Sequence, residues 1–215
     1  MGSDGPSKRF LAWLDSDLAR TYAASDEVVL AFSGGLGSQI LAALARKRGD
    51  VRCVVVGTQG SSDVEAALVA SKFLDYPVEV VRPSPRKILS VARGIGVSDP
   101  GLPLPEILSL VPLALVEDRH PGGVLLSGFA LSPRSRALQR HLVADRVRVP
   151  GLRRTGPLAP SRRLALHIAG SLGIPDAFAF ASRRTPAEGS GVGPALRALG
   201  HARHASVGRL VDVVI

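Results

Sequence analysis

Cysteine is almost missing from this chain. Its 215 residues include one, Cys53, which excludes an internal disulfide framework and any zinc site built on cysteines. Aromatic residues are scarce, at 4%, so a surface that grips nucleic acid by base stacking has little to work with. Lysine occurs four times (Lys8, Lys47, Lys72, Lys87) among 27 basic residues. No uninterrupted apolar run approaches the roughly 20 residues of a membrane span. The longest stretches, 51–56 (broken by Arg52) and 108–116, have the length of a strand or a helix. The opening MGSDGPSKRFLAWLDSDLARTY carries no basic-then-apolar leader, so the cytoplasm is the expected compartment.

What is present points to one folded domain. An apolar share of 46% is too high for a disordered chain, and 215 residues suit one full-sized domain better than two. Acidic residues are unevenly distributed. Residues 1–133 hold 13 basic and 14 acidic side chains, whereas 134–215 hold 14 arginines against Asp145, Asp176, Glu188 and Asp212. A surface of that sign attracts polyanions such as RNA, DNA or nucleotide phosphates. GC-rich coding gives the same arginine excess, so both readings stand.

Apolar spacing sets out alternating elements. Phe10, Leu11, Leu14 and Leu18 predict an amphipathic helix over 8–22, packed on the domain that follows. VVLAF (28–32) and VRCVVVG (to Gly57) read as buried strands, and VEVV (78–81) and GGVLLSG (122–128) as a third and a fourth strand. QILAALARKRG predicts a helix ending at Gly49, and Asp63 is placed to cap VEAALVASKFL. Further helices are expected near 85–94, 105–117, 135–145, 161–172 and 193–199, with no strand beyond Ala130. Strands separated by helical crossovers mean a doubly wound, Rossmann-like α/β fold with a parallel sheet. Its ligands bind beyond the carboxyl ends of the strands. There the chain reads SGGLGS, GTQGSSD and SGFALS, three loops rich in glycine and serine.

The first of these loops carries the most chemistry. A buried strand ends, glycines allow close backbone approach, and a helix begins at once. The first amides of that helix lack intrahelical partners, and the helix dipole adds partial positive charge. Ser33, Gly34, Gly35, Gly37 and Ser38 thus make a candidate phosphate cradle. The spacing fits neither a Walker motif nor a dinucleotide fingerprint.

VVLAFSGGLGSQILAALA resembles the pyrophosphate loop of the PP-loop ATP pyrophosphatase superfamily, in which Ser-Gly-Gly-x-Asp-Ser follows a strand. The stand-alone, archaeal-type relatives of the asparagine synthase synthetase domain are the most similar branch. VVVGTQGSSDVEAALVASKFL, LLSGFA, GLRRTGPLAPSRRLALHIAGSLGIP and SRRTPAEGSGVGPALRAL follow in the family's order. The resemblance implies an adenine nucleotide alpha hydrolase-like domain over 25–215, helical and arginine-rich from about 134. It implies an ATP-dependent amide ligase: a small carboxylate such as aspartate is adenylated, pyrophosphate leaves, and ammonia displaces AMP. By the same resemblance the loop residues hold pyrophosphate. Val56 and Gly57 lie under the adenine or ribose, Ser127 and Gly128 flank the α-phosphate, and Arg183 or Arg184 stands near the family's catalytic lysine.

The chain departs from that pattern where the family holds Mg²⁺. Gly37 replaces the loop aspartate, and Ser132 and Pro133 replace an Asp-Glu pair; apart from the metal positions, Pro160 stands where an aspartate is usual. Neither Gly37 nor Ser132 supplies a charged oxygen for a hard cation. An arginine in place of lysine presents a fork rather than a point charge. No glutaminase segment precedes the loop, so ammonia is expected free or from a separate subunit. Two further readings follow: a catalytically degenerate nucleotide-binding or regulatory relative, and a tRNA-modifying PP-loop protein whose arginines hold RNA.

The remaining polar residues read as structural. His120, His141, His167, His201 and His204 are expected on the surface, and the His201/His204 pair has no acids or cysteines beside it. Ser127 is not in a nucleophile elbow. Trp13 is expected to pack beside Phe10, and Cys53 to be an inert buried thiol.

Overall fold

Strands that are apolar on both faces must lie between two layers of helices. The computed structural model describes residues 4–128, 147–148, 162–179 and 185–198. Five parallel strands, β1 (Val28–Ala31), β2 (Arg52–Val56), β3 (Val78–Val81), β4 (Val124–Ser127) and β5 (Val147–Arg148), form one sheet in the order β3-β2-β1-β4-β5. The helices are α1 (Asp4–Ala24), α2 (Leu36–Ala45), α3 (Ser62–Leu74), α4 (Pro85–Ser98), α5 (Leu104–Arg119), α6 (Arg162–Ser171), α7 (Asp176–Ala179), α8 (Pro186–Gly189) and α9 (Val192–Ala198).

Alternate strand residues feed two cores. On one face Leu30, Cys53, Val55 and Leu126 meet Leu14 and Leu18 of α1, Ile40 of α2, Ala67 of α3 and Ile168 of α6. On the other, Val29, Val54, Val56 and Leu125 meet Ile88 of α4, Ile107 and Val111 of α5 and Leu196 of α9. Burial of each large aliphatic side chain contributes about 2 kcal/mol. The doubly wound α/β architecture is the one the sequence pattern calls for. Trp13 packs edge-on to Phe10 with ring centroids 5.6 Å apart. Cys53 is buried, and burial pushes its thiol up to about 12, which makes it a poor nucleophile.

Four expectations need correction. A strand does follow Ala130: β5 pairs Val147 with Leu125 and Arg148 with Leu126. Two residues carry too short a pattern to register as a strand. The helix after the glycine loop ends at Ala45, and its last carbonyls accept tighter bonds from Lys47 and Arg48. Gly49 is needed for packing, since a Cβ there would lie 3.0 Å from the Tyr22 ring. The N-cap of α3 is Ser61, whose hydroxyl accepts from the Val64 N–H at 3.4 Å, and Asp63 sits inside the first turn. The helix expected over 135–145 lies outside the described residues, as do His141, His201 and His204.

The fourth correction is His120, which is a buried link at the amino edge of the sheet. Its side chain is 7% exposed and its Nε2 lies 3.0 Å from Glu79 Oε2. Its Nδ1 lies 3.7 Å from Glu27 Oε1 and 3.4 Å from Arg52 Nη1. Arg119 Nε donates to Glu79 Oε1 at 2.7 Å. The residues that open β1, β2 and β3 are thereby tied to the end of α5. The Arg119 hydrogen bond, then that of His120, holds the Glu79 carboxyl below its ordinary range against the opposing effect of burial. A folded-state value below the unfolded one stabilises the fold above the ordinary glutamate range, and the gain is lost as pH falls through the folded value. Glu79→Gln is expected to cost about 1 kcal/mol at neutral pH, because Glu79 is partly exposed. The gap from wild type should begin to narrow as pH falls through the ordinary glutamate value of about 4.3 and close below the lowered folded value. Chemical denaturation across pH checks this, and a gap that persists in acid would refute the assignment.

Candidate functional site

Strand order reverses between β1 and β4: β2 and β3 lie to one side, β4 and β5 to the other. Ligands of open parallel sheets sit in the crevice that such a reversal leaves at the carboxyl edge. Ala31 and Ser127 are paired at that edge, so the 33–38 loop and Gly128 leave the sheet side by side. A Cβ on Gly128 would lie 2.9 Å from the Ser38 nitrogen and 3.0 Å from the Gly37 carbonyl carbon. Only a residue without a side chain lets the end of β4 rest against the first turn of α2.

The two leading glycines of the loop serve different ends. Gly34 has φ +70°, and a Cβ on it would lie 2.5 Å from the backbone of Ala66 and Ala67. Its lack of a side chain is therefore a demand of the fold, where the loop crosses α3. Gly35 is the N-cap of α2 with φ −74° and ψ 161°, an extended conformation open to any residue. A Cβ there would meet only Ser33 Oγ, at 3.3 Å. What Gly35 provides is an unobstructed helix start. That start has no side-chain cap and no acid in its first turn, so its partial positive charge is not neutralised locally.

The hydroxyls are unequal. Ser38 Oγ is buried and donates to the Gly35 carbonyl at 2.9 Å, which commits its proton to shaping the loop. Ser33 Oγ accepts from the Gly35 N–H at 3.4 Å, which leaves its own proton to donate elsewhere. Ser127 is buried at the end of β4.

Gln39 was missed by the sequence reading. It is fully buried one turn into α2, and its Nε2 donates to the Gly34 carbonyl and, at 3.4 Å, to the Phe178 carbonyl of α7. Its Oε1 is buried with no hydrogen-bond partner among the described residues. Exchanging the two amide atoms would set an oxygen against two carbonyls, so the orientation is fixed. A polar residue at the start of the apolar run ILAALA was the available signal.

The β2 side is more closed. Gly57 N–H donates to the Val81 carbonyl at 3.0 Å, Thr58 N–H to the Ser190 carbonyl at 2.9 Å, and Arg82 to the Thr58 carbonyl at 3.3 Å. A Cβ on Gly57 would collide with Ser61 Oγ, and Val56 is buried in the second core. The Gly-Ser-Gly at 189–191 docks on this loop. Side chains on Gly189 and Gly191 would run into the Asp63 carboxylate and the Thr58 hydroxyl. A capping box between Thr185 and Glu188 sets the approach of α8.

Arg183, Arg184, Ser132, Pro133 and Pro160 lie outside the described residues. The flanking segments end at the edge in question, through Phe178 against Gln39 and Ser190 against Thr58. Of the 14 arginines in 134–215, only Arg148, Arg162, Arg163 and Arg197 are described, so the expected RNA-gripping surface falls mostly outside. Among the described residues no group of three or more His, Cys, Asp or Glu is arranged so that it could hold a metal ion. Gly37 brings no oxygen ligand of its own side chain, so the described loop does not fit a Mg²⁺ held by protein carboxylates. No helix among the described residues is long and apolar enough to cross a membrane.

No protein-family model matches the sequence, and no curated protein is similar to it at a significant level. Solved structures share its fold. An NH3-dependent NAD synthetase from Campylobacter jejuni, solved with a nitrate ion, is 16% identical with TM-score 0.52, over 83% of this chain and 77% of that one. An NMN synthetase from Francisella tularensis is 11% identical with TM-score 0.52, over 100% and 92%. An NAD+ synthetase from Burkholderia pseudomallei is 16% identical with TM-score 0.50, over 100% and 81%. These likenesses establish a parallel, Rossmann-like α/β fold shared with nucleotide-cofactor synthetases, and none of the three is an asparagine synthase.

Proposed function

We propose that this chain binds the pyrophosphate portion of ATP at the 33–38 loop and serves an amide-forming, AMP-releasing ligation. The observation that carries the reading is the uncapped, acid-free start of α2, set against Gly128 where strand order reverses. Oxygens of a polyphosphate would accept from the Gly35–Ser38 amides, and the helix dipole favours their charge. The carboxylate oxygen of the acceptor attacks the α-phosphorus and pyrophosphate leaves with the bond electrons. Ammonia then attacks the acyl carbon and AMP departs. Amides already in place stabilise the charge that grows on the leaving pyrophosphate. The arginine pair 183–184 is assigned to the same developing charge. The acceptor is a small carboxylate of the aspartate kind. The structural neighbours are named as an NH3-dependent NAD synthetase and an NMN synthetase, and the nicotinate dinucleotide acid whose amide would be NAD is therefore taken as the rival acceptor.

One observation favours a second reading, nucleotide binding without turnover. With glycine at 37, nothing in the first turn repels phosphate, and nothing there recruits a metal. Binding is then expected to be insensitive to Mg²⁺.

The central test follows pyrophosphate release from ATP with ammonium and either aspartate or the nicotinate dinucleotide. Release with one acceptor supports the ligase and identifies its substrate. ATP binding without release supports the second reading, and absence of ATP binding refutes both. ATP affinity is expected to change less than about twofold when Mg²⁺ is removed with a chelator, which calorimetry reads directly; a large loss would mean a metal site elsewhere in the chain. Gly35→Val is expected to abolish ATP binding, because a branched side chain fills the anion's place. It should cost only about 1 kcal/mol of stability through the poorer N-cap. Unchanged affinity in a folded Gly35→Val protein would sink the site assignment.

A further inference from the structure

Within the 33–38 loop the Gly34–Gly35 peptide is the one linkage flanked by glycine on both sides. Such a linkage turns over more easily than any other, because neither residue has a Cβ to restrict it. The peptide is trans, so its carbonyl and its N–H point in opposite directions. One orientation aims the Gly35 N–H at an incoming anion. The reverse orientation aims the Gly34 carbonyl there and repels it.

We propose that Gln39 is the positioning residue that sets this choice. Its Nε2 holds the Gly34 carbonyl inward, and that places the Gly35 N–H on the opposite side, beside Ser33 Oγ. The 3.4 Å contact to Ser33 is long, so the N–H transfers to a better acceptor at little cost. A second bond from the same Nε2 to the Phe178 carbonyl fixes the amide itself. Phe178 is in turn held by its ring against Phe73 of α3, with centroids 4.9 Å apart. Gln39 therefore acts through the loop backbone and touches no ligand. The fully buried, unpartnered Oε1 fits this role. An apolar residue would avoid that orphaned oxygen but would leave the Gly34 carbonyl without its donor.

This inference rests on anion binding at the loop, and the test separates the two. Inorganic pyrophosphate is titrated into the full-length wild type, Gln39→Met and Gln39→Asn, with calorimetry for affinity and amide NMR for the loop. In wild type the Gly35 and Ser38 amide signals should both move on binding. Gln39→Met is expected to bind about tenfold more weakly. Its Gly35 amide should no longer respond while Ser38 still does. Gln39→Asn, one methylene short of both carbonyls, should fall between. Wild-type affinity in Gln39→Met overturns the proposal, as does an equal loss of response at both amides, which marks general loosening. If Gln39→Met does not fold, Gln39→Asn decides by the same criteria. If wild type binds no pyrophosphate, the functional reading fails by itself. The Gly35 amide signal of the ligand-free variants then decides: displacement from wild type supports positioning by Gln39, and coincidence refutes it.

Discussion

The contact of Gly128 with the first turn of α2 is the constraint on which the candidate site depends. Two parallel strands about 4.8 Å apart leave the sheet next to each other, and one of them turns at once into a helix. A side chain at the end of β4 would force that helix aside. Without one, the helix start stays beside the end of β4, where strand order reverses. The sheet order supplies the place; the absent Cβ of Gly128 keeps the backbone close to it, that of Gly34 lets the loop cross α3, and that of Gly35 leaves the helix start open.

The two edges of the sheet meet opposite electrostatic demands. At the amino edge, Glu27, Arg52, Glu79, Arg119 and His120 satisfy one another across the starts of three strands. Charges arranged that way hold elements together and leave little field to attract a ligand. At the carboxyl edge the helix start carries no compensating acid. On the proposed reading an anion finds its partner at the second edge because the first is already neutralised. The sheet can be tied firmly at one end while the other keeps donors for a ligand.

Much of this was legible in the chain itself. The runs VVLAF and VRCVVVG declare buried strands because both faces of a parallel sheet are apolar, VEVV and VLLS read as strands beside them, and all four appear where expected, with β3 only partly buried. The loop was legible because glycine is informative wherever backbone must approach something closely. Other features depend on tertiary neighbours that composition does not encode. Ser61 and Asp63 are both good capping types two positions apart, and the turn geometry decides between them. Burial of His120 follows from the meeting of Glu27, Arg52 and Glu79, residues far apart in sequence. Gln39 reads as an ordinary polar residue in a helix until its amide is seen to reach two carbonyls 144 positions apart in sequence, those of Gly34 and Phe178.

Glycine at position 37 changes the electrostatic logic of the loop more than the fold. An aspartate in the first turn of a helix sits well with the dipole but repels phosphate, so a loop carrying one needs a cation between acid and anion. Without the acid that conflict disappears, and the amides alone can attract the phosphates. The cost is chemical: a metal that spans the leaving phosphates withdraws charge that amides withdraw less strongly. A loop of this kind favours holding the nucleotide over breaking it unless other cations in the chain take up the charge. Arg183 and Arg184 are the residues whose sequence position suits that task. Because guanidinium stays charged at every physiological pH, turnover supported by them would not follow the titration of a lysine.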